Sequence, residues 1–350
     1  MGPAGLTSRF QVSTGWRYAR ATRGYFRFQQ NGSFNQLWQP RERISVLDIN
    51  AKYIFSPRFS VQADIPIVFN YFSQVFPIEG PELGVRHQLN ASPKLGDISI
   101  YANYWLLKRK QHPLHNIAFG IGLKPPTGSW RLRQFYPNLQ GTAASNRFIY
   151  PPAIMPGDGE LGVIVGFDAY KTFAHPIPIR GTTIFAGAQY LITTRETNGT
   201  PSVVAEAGVP IPTQLKNRLV NGTPNTWNGQ LGISIPAPHT SENEWLHGLR
   251  YQLVFRSEGV TAHDLFHGNS GFRQPGFTFS VGPGFLFAYK RDYLSVDIPI
   301  NFVKYIDPSQ DLVPGLPKIV NGIPQPNFSP TRNIGLVAPV GVQMRWTHTF

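Results

Sequence analysis

The sequence predicts an all-β fold, a closed antiparallel transmembrane β-barrel of about twelve strands. Three observations lead there. Apolar and polar residues alternate with period two in one segment after another, each about ten to fourteen residues long. The connections between segments alternate long and short, as in barrels that keep turns on one side of a membrane and loops on the other. Composition then removes the competing classes: of 350 residues, 41% are hydrophobic and 15% charged, with 34 Gly, 32 Pro and no Cys. Gly and Pro recur every few residues, which breaks long helices. No apolar run approaches the roughly 18 residues of a membrane-spanning helix. The apolar and aromatic content excludes a disordered polyelectrolyte. Without thiols there is no disulfide framework, cysteine zinc site or cysteine nucleophile.

The segments follow in chain order, starting at 10–18. In the next two, Leu47, Ile49, Ala51, Tyr53 and Phe55 oppose Val46, Asp48, Asn50 and Lys52. Phe59, Val61, Ala63, Ile65, Ile67 and Phe69 then oppose Ser60, Gln62, Asp64 and Asn70. Successive Cβ atoms of a strand point to opposite sides, so each set shares a face. Similar faces recur at 98–106, 117–123, 161–167, 184–192, 231–235, 249–255, 277–281 and 294–302. The last segment sets Val340, Val342, Met344, Trp346, His348 and Phe350 against Gly341, Gln343, Arg345, Thr347 and Thr349.

Ser56-Pro57 and Lys290-Arg291-Asp292 read as tight turns, and 108–115, 173–181 and 237–248 as modest ones. Long Gly/Pro/Asn-rich stretches lie near 19–41, 72–94, 125–158, 195–226, 256–275 and 304–333. The expected arrangement is short periplasmic turns, long extracellular loops and a single barrel domain over 1–350. Alternation alone also fits a soluble sandwich, whose apolar face would point inward. The position of the aromatic residues favours the membrane: Phe55 and Phe59 flank Ser56-Pro57, Phe287 and Tyr289 precede Lys290, and Trp346 and Phe350 close the chain.

A terminal Phe350 on an alternating strand resembles the carboxy-terminal assembly signal of bacterial outer-membrane proteins. It implies the bacterial outer membrane, with the barrel-assembly machinery as a partner. The numbered N-terminus shows no apolar signal segment, so a signal peptide is expected to lie outside this numbering. The net charge is +13 and the pI about 10.0. The basic groups, such as Arg41–Arg43, Lys108–Lys110 and Lys290–Arg291, are spread between apolar segments. That spread reads as a headgroup-facing rim meeting lipid and lipopolysaccharide, and nucleic acid is not expected.

By parity the lumen should carry Arg17, Asp48, Lys52, Asp64, Asp97, Lys124, Asp168, Arg250, Arg256, Asp297 and Arg345. Charges of both signs either neutralise one another or form a selective constriction. An echo links Ser60-Val-Gln-Ala-Asp-Ile-Pro-Ile67 with Ser295-Val-Asp-Ile-Pro-Ile300. Pro66 and Pro299 donate nothing to a ladder, so each should kink the wall. Such a kink either shapes the barrel or admits a hydrophobic molecule sideways.

Enzyme chemistry is not expected. His267-Gly-Asn269-Ser270 is similar to the His-x-Ser-Asn run of outer-membrane lipid hydrolases, but its His and Ser are one residue too far apart to share a strand face. His263-Asp264-x-x-His267 would present two imidazoles to a metal only if helical, and the segment reads as loop. No cofactor is expected.

Leu95-Gly96-Asp97 opens a strand, Gly120-Ile-Gly-Leu-Lys-Pro-Pro-Thr-Gly128 follows, and Gly157-Asp-Gly-Glu-Leu-Gly162 precedes another strand. This order resembles the outer-membrane family of meta-pathway phenol-degradation transporters. The resemblance implies passage of small, often aromatic or hydrophobic molecules across the outer membrane. The expected function is therefore a passive channel or transporter. The alternative is a non-conducting scaffold whose loops hold an extracellular protein partner.

Overall fold

The computed structural model describes residues 9–30, 41–77, 84–108, 111–136, 146–175, 179–202, 205, 213–238, 247–266, 268–307, 313–320, 323–331 and 335–350. The barrel strands are β1 (Phe10–Ala21), β2 (Arg41–Ile54), β3 (Phe59–Pro77) and β4, in two pieces (Gly84–Leu95 and Ser99–Trp105). Then come β5 (His115–Lys124), β6 (Gly162–Thr172), β7 (Thr183–Thr193), β8 (Thr226–Pro236) and β9 (Leu249–Val260). The wall ends with β10 (Gly276–Tyr289), β11, also in two pieces (Asp292–Asp297 and Ile300–Ile306), and β12 (Gly341–Thr349). Each strand pairs antiparallel with the next in sequence, from Phe10↔Tyr53 through Asp297↔Gln343. The pairing of β1 with β12, Gln11↔Thr349 through Ala19↔Gly341, closes the cylinder. Every wall strand thus has two neighbours, and no edge is left for another chain to add to.

Exposure decides which face points out. Ile121 is 61% exposed and Phe302 59%, while Asp48 is 3% exposed. Leu231, Tyr251, Phe255, Ile300 and Met344 are exposed in the same way. Ile49, Ile65 and Val342 share the outward parity of these residues, and a soluble sandwich would have buried them. An apolar exterior of this kind is the solvent match to a hydrocarbon layer. Polar groups on that exterior find partners locally: the Trp16 indole N–H donates to Ser45 Oγ at 3.1 Å.

An aromatic belt rings the end that carries both termini. Phe10 lies 5.6 Å from Phe350, Tyr53 4.7 Å from Phe55, and Phe55 5.5 Å from Phe59. The Lys290 ammonium sits 5.1 Å from the Tyr289 ring. This amphipathic layer suits a membrane interface. The opposite end carries the long connections and the only sizeable apolar clusters among the described residues. Leu89, Ala91, Tyr150 and Ile154 form one, backed by Phe72, Leu132 and Met155; Tyr25, Ile306 and Val337 form the other.

The stretch near 72–94, expected to be a loop, is instead a strand hairpin paired from Asn70↔Ala91 out to Pro77↔Gly84. Its Pro, Gly and Asn content reads as loop, but cross-strand pairing and burial of Leu89 and Ala91 against Tyr150 override that local preference. Shorter hairpins also occupy three of the other long connections: Arg133–Tyr136 with Asn146–Ile149, Thr197–Pro201 with Val220–Gly222, and Val313–Val320 with Ile323–Thr331.

The two expected kinks take different forms. A strand residue directs its N–H and C=O toward the same neighbour. The Pro66 carbonyl accepts from Gly96 N at 2.8 Å, so the donor that proline lacks would have faced β4. There β4 breaks, at 96–98, while β3 runs on through Pro66. At Pro299 it is the proline's own strand that breaks, between Asp297 and Ile300.

Candidate functional site: the lumen and a polar knot at its wall

Inward-facing residues of the wall enclose a cavity of about 790 Å³. Arg17, Asp48, Lys52, Asp64, Asp168, Arg256 and Arg345, all expected in the lumen, line it, with Glu258, Asn50, Gln62 and Gln189 between them. Asp297 stands beside the cavity, paired with Arg256 at 2.9 Å. The Arg17 guanidinium grips Asp48 with two bonds, Nε to Oδ2 at 2.7 Å and Nη2 to Oδ1 at 3.1 Å. Asp64 accepts from Asn50 and lies in the field of Arg17 and Arg345, while Lys52 faces Asp168. Cations and anions are interleaved, so most of the chain's excess positive charge is carried elsewhere. Charges of both signs at this spacing leave a polar but nearly neutral interior.

One arc of the wall is made of small residues so that rings can lie flat. A Cβ on Gly120 would meet the Tyr101 ring at 2.3 Å, one on Gly122 would meet it at 2.7 Å, and one on Gly166 the Tyr101 hydroxyl at 2.8 Å. Tyr101 therefore spreads across three inward glycines of β5 and β6. Phe185 covers Gly232 in the same manner, with 2.3 Å to a Cβ there.

Arg250 faces inward near the terminus-bearing end but does not line the cavity. Its guanidinium donates to Ser234 Oγ at 2.9 Å, Gly181 O at 2.7 Å and Ser234 O at 3.0 Å, which ties a turn to the wall.

Asp97 and Lys124 are set apart from the cavity as well, in a knot at the β4 break. Lys124 Nζ donates to Asp158 Oδ1 at 2.7 Å, Asp97 Oδ2 at 3.0 Å and Glu160 O at 3.2 Å. Asp97 also accepts from Gly128 N at 2.8 Å and Asp158 N at 3.0 Å. Thr127 Oγ1 accepts from Ile98 N at 2.7 Å, which caps the loose end of the broken strand. The segments meet at van der Waals limit: a Cβ on Gly128 would stand 2.8 Å from Gly96 C and 2.9 Å from Gly157 Cα. Burial pushes the Asp158 carboxyl above the ordinary carboxylate range, with Lys124 pulling the other way. Burial raises the Glu160 carboxyl too, opposed by Arg195.

The three motif segments around Gly96, Lys124 and Asp158 thus converge on one place. Sequence reading placed Asp97 and Lys124 on the lumen by parity and did not single out Asp158, Glu258 or Tyr101. Glu258 was legible, since it follows Arg256 by one pleat. Asp158 was not, because it lies in a connection with no period.

Of the loop motif 263–270, His267 lies outside the described residues. Asp264 is committed to structure: it accepts from Asn225 N at 2.8 Å and Thr261 Oγ1 at 2.8 Å, and pairs with Arg273 at 2.9 Å. Among the described residues no three metal-binding side chains cluster.

No family model matches the chain, and no curated protein matches it. Solved structures do. A crystal structure of an outer membrane channel from Pseudomonas putida F1 superposes with a TM-score of 0.53 at 11% identity, covering 99% of this chain and 97% of that one. A Pseudomonas aeruginosa FadL homologue and the CymD monoaromatic hydrocarbon channel align more loosely. Each has a TM-score of 0.41 at 10% identity; both alignments cover 99% of this chain, with 90% of the homologue and 89% of CymD. With its apolar exterior, closed wall and polar interior, the chain is a twelve-stranded transmembrane β-barrel of the bacterial outer-membrane type.

Proposed function

We propose that the barrel is a passive outer-membrane channel for small, largely uncharged molecules. The observation that carries this reading is the 790 Å³ cavity, walled by paired charges and amides inside an apolar shell. Transmembrane barrels have polar interiors whether or not they conduct, so it is the unfilled volume inside this one that favours a channel over a plugged barrel or a scaffold. Interleaved charge gives little preference for either sign. The resemblance to transporters of small aromatic molecules favours flat, weakly polar solutes. In this reading 1–350 act as one domain, the loop-bearing end faces outward, the basic rim meets lipopolysaccharide phosphates, and Phe350 presents the last strand to the assembly machinery.

Planar-bilayer recording tests the proposal. Steady single-channel steps with weak ion preference are expected. Replacing Arg17 and Arg256 by Ala leaves Asp48 and Asp297 unneutralised and should shift the preference toward cations several-fold. Silence from correctly folded barrels would overturn the channel and favour a scaffold; unchanged selectivity would remove these arginines from the path.

A further inference from the structure

Arg20 follows Phe10 by ten residues along β1, and Arg43 precedes Tyr53 by ten along β2. Phe10 and Tyr53 stand opposite one another in the aromatic belt of the terminus-bearing end; Arg20 and Arg43 stand opposite one another near the other end of the same two strands. At roughly 3.3 Å per residue and a tilt of about 40°, that span rises about 25 Å, the height of the apolar band of a transmembrane barrel. The two arginines therefore lie at the second lipid interface.

Parity puts them on the lipid side. Arg20 continues the outward face of Trp16 and Tyr18 on β1. Arg43 and Arg41 continue that of Ser45 on β2, which accepts from the Trp16 indole N–H at 3.1 Å. All three arginines are exposed. Glu42, the carboxylate between two of them, points inward instead and is 6% exposed. Among the described residues no carboxylate pairs with Arg20, Arg41 or Arg43, whereas Arg195 and Arg273, also at this end, meet Glu160 at 3.8 Å and Asp264 at 2.9 Å.

Like charges directly opposite in neighbouring strands repel one another, with Cβ atoms only about 5 Å apart. Their surroundings are aromatic. The Arg43 guanidinium lies 5.3 Å from the Tyr71 ring, and the Trp16 and Tyr18 rings stack at 5.6 Å on the membrane side of Arg20. Guanidinium forks take phosphate oxygens in pairs, and amphipathic rings settle at the headgroup boundary. An anion that neutralises the outside of the wall at this height comes from the membrane itself.

We propose that Arg20, Arg41 and Arg43 seat the phosphorylated sugar headgroup of one outer-leaflet lipopolysaccharide, with the start of its acyl chains against Trp16 and Tyr18. The inference rests on the outward orientation of the loop-bearing end proposed above, and it narrows a diffuse basic rim to one place on β1 and β2.

The test uses the full barrel, folded in detergent without lipopolysaccharide, titrated with lipid A and followed by native mass spectrometry. A single lipid A should be retained per barrel. Lipid A stripped of its phosphates, and phosphatidylglycerol, should each bind roughly 10-fold more weakly or worse, and millimolar inorganic phosphate should not compete. These comparisons need no variant. Replacing Arg20 and Arg43 together by Gln should weaken lipid A binding about 30-fold, the worth of two cations at a charged surface, in a barrel that keeps its fast-migrating folded band. Arg58→Gln, beside Tyr104 at the other interface, should leave binding unchanged. Equal affinity for dephosphorylated lipid A, preference for phosphatidylglycerol, displacement by inorganic phosphate, or unchanged binding in the folded double variant would each overturn the site. Bilayer recording keeps the two readings separate. Conduction by a barrel that retains no lipid A removes this site alone, whereas lipid A binding by a silent barrel removes the channel.

Discussion

The wall is interrupted twice, and the two interruptions are built from the same short sequence, Asp-Ile-Pro-Ile, at 64–67 and 297–300. At the first, the break is bound by side chains brought from far away. Asp97, Lys124, Thr127 and Asp158 replace the missing ladder with a charged knot. At the second, the backbone carries most of the repair: Ile298 N donates to Pro283 O at 3.0 Å, Gly341 N to Pro299 O at 2.9 Å and Asn301 N to Pro339 O at 2.9 Å. The Asn301 side chain adds a bond to Ala338 O at 2.8 Å. A proline removes the same donor in both places. What stands across from it decides whether the gap becomes a local irregularity or an anchor that fastens a long connection beside the lumen.

Three substitutions probe that contrast, from the largest expected effect to the smallest. Lys124→Met leaves Asp97 and Asp158 without their shared cation and should cost about 3–5 kcal/mol, the usual penalty for stripping a buried charge of its partner. It would appear as a lower temperature for loss of the fast-migrating folded band in detergent gels. A change below the scatter of that measurement would mean that the knot is not what holds the first break. Gly128→Ala pushes a methyl into the Gly96 and Gly157 backbone and should cost roughly 1–3 kcal/mol by the same readout. Wild-type stability for that variant would show that the segments can separate freely. Pro299→Ala should change stability by less than about 1 kcal/mol, since it restores a donor at a gap already bridged by backbone. A loss comparable to Lys124→Met would erase the distinction between the breaks.

Much of the wall was legible from residues alone. Val340 to Phe350 alternate so regularly that β12, its outward Met344 and Trp346 and its inward Gln343 and Arg345 follow from parity. The short segments at 117–123 and 231–235 were recognised but read too short, because Asn116, Lys124, Thr226 and Asn228 are polar and carry no apolar alternation. Where strands are regular, as at Arg17, Asp48 and Arg256, parity and position against the cavity agree. They part where the strands stop: Asp97 sits in a break, and strand parity no longer says where its side chain goes.

The sequence by itself determined that the chain is β and which face of each strand is greasy. Period two is a local property, set by the geometry of a single extended backbone. Tertiary structure alone decided that β3 and β4 extend as paired strands into 72–94, that Tyr101 lies over glycines of two neighbouring strands, and that Asp97, Lys124 and Asp158 meet. Those outcomes depend on which segments, separated by about 30 to 60 residues, come together when the cylinder closes. No period within any one of the segments records that encounter.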